Sequence, residues 1–156
     1  MNDRPTSDVQ LVSGDPADGA FIEKALLQSL RSELPQSTNT SFVLSLKDPV
    51  GTIVGGLTAS TSYGWLLIKV LWVEEGRRGL GFGRQLVAEA ERRARDADCH
   101  SAWLDTSNPE AMRFYLSLGY KVFGELSNTG NQAPQGHARW FLKKPLDRDD
   151  RSITHA

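Results

Sequence analysis

Cysteine is nearly absent: Cys99 is the only one among 156 residues. A single thiol closes no internal disulfide, so the fold must rest on a packed core, and such a composition suits a reducing compartment. Histidine is scarce as well, and His100, His137 and His155 are scattered. They form no ligand spacing, so no metal is expected. No apolar run approaches the roughly 20 residues that cross a bilayer, and the opening M-N-D-R-P-T-S-D lacks the apolar centre of a signal peptide. Neither sign of charge prevails. Lys and Arg total 18 against 19 Asp and Glu, a net of −1, which provides no global field for nucleic acid. These absences point to a cytoplasmic protein with no membrane or nucleic-acid partner. Its length suits one domain over residues 1–156, with flexible ends at 1–8 and 147–156.

What the chain does have is a glycine-rich passage, L-W-V-E-E-G-R-R-G-L-G-F-G-R, over residues 71–84. A β-rich apolar run (65–73) ends there, two arginines follow, and Gly79, Gly81 and Gly83 lead into an amphipathic helix. Glycines let a ligand approach the backbone, and the free amides of a first helical turn attract anions. Arg77, Arg78 and Arg84 bring positive charge to the same end. A phosphate or pyrophosphate is the expected guest. The spacing is Arg-x-x-Gly-x-Gly at Arg78, Gly81 and Gly83. It is neither the dinucleotide fingerprint nor a P-loop, which argues against the usual nucleotide-phosphate binders. An ordinary strand-to-helix turn, with glycines for tight packing, is the structural alternative.

The rest of the chain alternates strand and helix patterns. Residues 9–12 (V-Q-L-V) read as a short strand, and Asp15-Pro16 opens a helix. On that helix Phe21, Ile22, Ala25, Leu26 and Ser29 should bury one face. Residues 32–40 read as loop, a rim for a substrate mouth. Strands over 41–46 and 52–59 flank a hairpin turn at Asp48-Pro49-Val50-Gly51, and residues 60–64 turn the chain again. The run 65–73 is apolar on both faces except at Lys69, as a covered central strand would be. A helix over 81–98 carries Phe82, Leu86, Ala90, Ala94 and Ala97 on one stripe, with Glu89/Arg93 and Glu91/Arg95 pairs on the other. A strand (101–106) and a short helix follow, the helix started by Asn108-Pro109 and stopped by Gly119. Strands over 120–126 and 137–144 complete the order β-α-β-β-β-α-β-α-β-β. The polar loop between them is long for a hairpin, and binding loops sit in such places.

On this order, on Val73 followed by Arg78-x-x-Gly81-x-Gly83, and on Asn108, Ala111, Phe114-Tyr115 and Leu118-Gly119-Tyr120, the chain resembles the GNAT-type N-acetyltransferases. The motifs cover residues 65–126, and the ending G-H-A-R-W-F-L-K-K-P-L is similar to a bacterial subgroup with poorly defined acceptors. The resemblance implies an α/β (α+β) fold. Its central sheet would be mixed, mostly antiparallel, splayed between the fourth and fifth strands, and flanked by helices. It also implies acetyl-coenzyme A as co-substrate and a primary amine as acceptor, joined by direct attack in a ternary complex. Oligomeric state stays open, a homodimer included. The alternative is a coenzyme A-binding sensor or regulatory module without turnover, since Lys69 stands where similar subgroup members often place a glutamate.

Residue roles follow from the same resemblance. Pyrophosphate would lie on Arg78, Gly79, Leu80, Gly81, Phe82, Gly83 and Arg84, and pantetheine along Leu71, Trp72 and Val73. Asn108 would contact the pantetheine arm, or only cap its helix. Tyr115 would point its hydroxyl at the sulfur as general acid, the structural alternative being a core tyrosine bonded to a carbonyl. For a general base the candidates are Glu125 and His137, each also readable as solvated or structural. Cys99 reads as packing.

Overall fold

The computed structural model describes residues 8–33 and 40–147, and the chain divides into two compact units, 1–36 and 37–156. In the first, Asp15 caps helix α1 (Pro16–Glu33). Its Oδ1 accepts the Asp18 N–H at 3.0 Å, and Asp18 Oδ2 accepts the Asp15 N–H at 3.1 Å. This reciprocal pair satisfies two donors that a helix start leaves open, and Pro16 has none to satisfy. Two expectations fail in this unit. Residues 9–12 form no strand, and Phe21, Ile22 and Leu26 are exposed rather than buried. A strand needs a ladder partner, and strand-like composition over four residues does not supply one. Most of the expected loop at 32–40, and of the expected flexible ends, lies outside the described residues.

The second unit is a six-stranded sheet flanked by helices. Its strands are β1 (Thr40–Lys47), β2 (Ile53–Ser62), β3 (Trp65–Val73), β4 (Ser101–Thr106), β5 (Lys121–Ser127) and β6 (Ala138–Pro145). Helix α2 (Phe82–Asp96) follows β3, and α3 (Pro109–Ser117) follows β4. The spatial order is β1-β2-β3-β4-β6-β5. Every neighbouring pair is antiparallel except β3 with β4. The sheet is therefore mixed and mostly antiparallel, with one strand fewer than the sequence suggested because 9–12 is not one. At the first hairpin Asp48 Oδ1 accepts the N–H groups of Val50 and Thr52, which closes the turn. The second hairpin is tighter than expected: only Tyr63 and Gly64 turn, both with positive φ (51° and 81°). Two left-handed residues match the twist of the flanking strands, and tyrosine is an unusual choice for one.

One sheet face buries Leu57, Leu66, Ile68, Leu104 and Leu142 against Leu86, Val87, Ala90 and Ala94 of α2 and against Tyr115 and Tyr120. Small side chains on α2 let it lie close. Its Gly83 sits where an added Cβ would come within 3.3 Å of the Phe114 ring. The Glu89–Arg93 pair forms on the exposed side as expected, at 3.2 Å. Glu91 does not belong to that side. It is buried, accepts the Tyr120 hydroxyl at 3.1 Å, and takes Lys144 Nζ on both oxygens at 3.0 Å. A buried carboxylate persists only with such partners.

The sheet opens in its middle. β3 and β4 pair in parallel only at Trp65↔Ser101, Leu66↔Ala102 and Leu67↔Trp103. Just beyond, Ile68 pairs with Ala59 and Val70 with Thr58, so Lys69 is the extra residue of a bulge. A bulge bends its strand and ends regular pairing, and here β3 turns away from β4. Lys69, Val70 and Trp72 are consequently exposed, where a strand covered on both faces was expected.

Candidate active site

The opening is a cleft of about 820 Å³. Its walls are residues 68–73 of β3, the loop and first turn at 77–84, residues 104–106 of β4, and Asn108, Glu110, Ala111, Phe114 and Tyr115 at α3. All the expected cofactor-side residues reach this wall except Leu80, which points into solvent. Chain order explains the convergence. The bulge exposes the β3 edge, the next loop crosses its end, and α3 begins where β4 stops.

The β3 edge has unused hydrogen-bonding groups. Glu74 N–H donates to Val54 O of β2 at 2.9 Å. Strand residues alternate in which neighbour they bond, so Trp72 also faces β2, whereas Leu71 and Val73 face the side that β4 has left. One of these groups is taken: Arg78 Nε donates to Val73 O at 2.9 Å. By the same alternation Leu71 N–H and C=O and Val73 N–H have no strand partner among the described residues, which suits an extended guest with amides of its own.

The far end of the cleft is built for an anion. Gly81 is the N-cap of α2, in the left-handed region at φ 89°, and offers no capping side chain. The first internal bond of the helix is Gln85 N–H to Gly81 O. The amides of Phe82, Gly83 and Arg84 therefore have no helical acceptor. A Cβ added at Gly79 or Gly81 would meet nothing within 4 Å, so the space above both is open. Arg77, Arg78 and Arg84 stand around it. Free amides, a helix N-terminus and cations together favour phosphate. The three glycines thus divide their work: two shape the seat, and Gly83 admits Phe114.

Tyr115 is 4% exposed, with its ring edge-on to Phe114 and Tyr120. Burial pushes its hydroxyl pKa well above the ordinary 10. No fully buried side-chain oxygen or nitrogen among the described residues lacks a partner, and the Tyr115 hydroxyl has none there. That oxygen is consequently open to the cleft, unlike Tyr120's, which is committed to Glu91. Asn108 caps α3, its Oδ1 accepting Glu110 N–H at 2.9 Å while it lines the cleft. Glu125 and His137 are not brought to the wall. Glu125 is exposed on the outermost strand and accepts the Ser127 hydroxyl, while His137 ends the β5–β6 loop. The wall carries a carboxylate that went unmarked in the sequence, Asp105 at the end of β4. Alternation along S-A-W-L-D-T, with Ala102 and Leu104 facing in, was the signal that could have found it.

Against known proteins, the Acetyltransferase (GNAT) family model matches residues 15–120. The chain belongs to the GNAT acetyltransferase family. The acetyltransferase is 34% identical over 122 residues to acetyltransferase Atu2258 of Agrobacterium fabrum, covering 76% of this chain and 88% of that one. It is 38% identical over 97 residues to blasticidin-S acetyltransferase of Streptomyces morookaense, covering 62% and 68%. A crystal structure of an acetyltransferase from Bacillus cereus superposes with a TM-score of 0.78 at 29% identity, over 90% of this chain and 99% of that one. The protein is thus an acetyl-coenzyme A-dependent acetyltransferase, and the cleft suits that co-substrate: an anion seat at one end, an open strand edge with free amide groups beyond it. Among the described residues no group of three or more metal-ligating side chains gathers, and no helix is long and apolar enough to cross a membrane. Burial raises the pKa of the Cys99 thiol, with Asp98 adding to the shift, which suits packing and not nucleophilic attack.

Proposed function

We propose that this acetyltransferase moves an acetyl group to a primary amine by direct attack within a ternary complex. The observation that carries the reading is the β3 edge exposed by the bulge, running from the Gly81 anion seat to the open hydroxyl of Tyr115. Bound acetyl-coenzyme A supplies the thioester and its sulfur leaving group. The amides and arginines at 78–84 hold its pyrophosphate, Leu71 and Val73 N–H pair with the pantetheine amides, and Asn108 borders the arm. Because Arg78 already occupies Val73 O, that carbonyl is not part of the pairing.

Tyr115 serves the departing sulfur. A phenol whose pKa lies above 10 stays protonated at every physiological pH, so its hydroxyl is always available as a donor. Full proton transfer to a thiolate of pKa near 8.5 is uphill, so Tyr115 acts chiefly by hydrogen bonding to the charge that develops on sulfur. Neither Glu125 nor His137 reaches the wall, which favours loss of the amine proton to solvent.

The cofactor half of the reading is tested by thermal unfolding. Saturating acetyl-coenzyme A at about 100 times its Kd should stabilise the protein by about 2.7 kcal/mol. Gly81→Glu should cancel the increment, because it places a side chain and a negative charge in the anion seat. Gly81→Asn, which tolerates left-handed backbone and carries no charge, should keep part of it. An undiminished increment in Gly81→Glu would move the phosphate site elsewhere.

A further inference from the structure

The wall has two carboxylates, Asp105 and Glu110, among four cations, Lys69, Arg77, Arg78 and Arg84. Glu110 is explained by its place, the first turn of α3, where an acid complements the helix N-terminus. Asp105 has no such explanation. It lies two residues past Leu67↔Trp103, the last pair of the parallel ladder, so it stands on the β4 lip of the opening. Leu104 is buried in the core with Tyr115, and adjacent strand residues point to opposite faces. Asp105 therefore projects on the face away from α2 and α3, opposite to the helix that carries Tyr115.

Its geometry is fixed from outside the cleft. Arg139 donates from Nε to Asp105 Oδ2 at 2.7 Å, and its Nη2 pairs with the same oxygen. Arg139 is not part of the wall, and its guanidinium rests over the Phe141 ring. One carboxylate oxygen is thereby held, and Oδ1 has no partner among the described residues. The side chain is 26% exposed, sheltered enough for a charge interaction to outweigh that of a surface group. Lys69, on the β3 lip, makes no ion pair among the described residues and so leaves Asp105 unneutralised from that side.

We propose that Asp105, oriented by Arg139, is the seat of the acceptor's cationic amine, and that this enzyme selects acceptors presenting a primary ammonium to that face. The inference rests on the amine-transfer reading above. The wall's own cations gather at the phosphate end and on β3, so among the described residues of the wall Asp105 is the carboxylate on that face that can give an ammonium a charge-assisted hydrogen bond. Its position also separates the two substrates, coenzyme A along the β3 edge and amine from the opposite face at the β4 lip.

Steady-state kinetics on Asp105→Asn test this, with acetyl-coenzyme A and a simple primary amine as the probe. The variant keeps the side-chain shape and loses the charge. KM for the amine should rise about 10- to 100-fold, the range for losing a charge-assisted bond, while the thermal shift produced by acetyl-coenzyme A is unchanged. The exchange Asp105→Arg with Arg139→Asp keeps the ion pair but moves the carboxylate off the wall. It should retain the melting temperature and still fail to restore amine KM. An unchanged amine KM in Asp105→Asn, or restoration by the exchange, makes the pair structural only and overturns the inference. Failure of the wild type to acetylate any amine would instead overturn the transfer reading, and the two failures are distinct.

Discussion

At position 115 a single oxygen carries the chemistry proposed for this enzyme. Tyr115→Phe keeps the ring that packs on Phe114 and Tyr120 and removes only the hydroxyl exposed to the cleft. Acetyl-coenzyme A binding should persist while turnover falls about 10- to 1000-fold; unchanged turnover on a good amine would make the hydroxyl dispensable. The same substitution has a pH signature. Burial raises the Tyr115 pKa above its unfolded value of 10, so the neutral form is favoured in the folded state. The associated stability is fully present below pH 10 and is lost as pH rises from there through the folded value. Tyr120 behaves alike, pushed up first by burial and then by Glu91. Melting temperature should fall above pH 10 in the wild type, and less steeply in Tyr115→Phe. Parallel slopes would show that Tyr115 does not titrate on unfolding.

At the scale of elements, α2 is held to the sheet by packing and by one buried charge. Glu91 joins Tyr120, just before β5, to Lys144 of β6. Glu91→Ala should cost about 3 kcal/mol, the low end for breaking a buried pair, since Lys144 at 24% exposure can recover some solvent. A loss under about 1 kcal/mol in chemical denaturation would mean that the network contributes little beyond an exposed pair. This network also shows what sequence could and could not reveal. The glycine spacing, the Asn108-Pro109 helix start and the Gly119 stop are local signals, and each formed where expected. Glu91 pairs with Arg95 at 3.7 Å as its helical spacing suggested, but it is buried rather than solvated, and its further partners, 29 and 53 residues away, could not be read from local spacing. The bulge at Lys69 is likewise a product of pairing between strands, and apolar composition alone made β3 look covered. Residues 9–12 show the converse: strand-like composition over four residues does not by itself make a strand.

For the molecule as a whole, the splayed sheet converts a packing irregularity into a two-sided site. The same bend that costs β3 its ladder with β4 frees the backbone at Leu71 and Val73 and brings Asp105 to the opposite lip. The family and its glycine-rich loop were legible because they rest on short motifs in contiguous sequence. The lip proposed for the acceptor was not, because Asp105 and Arg139 meet only through the pairing of β4 with β6. Release of free thiol from acetyl-coenzyme A, followed together with the acetylated product across a panel of primary amines, bears most directly on the transfer reaction. Thiol should appear only when an amine is present, with one amide formed per thiol, and the rate should climb toward the amine pKa near about 10. Release independent of any amine, or tight binding of acetyl-coenzyme A with no amide from any member of the panel, would contradict amine acetylation.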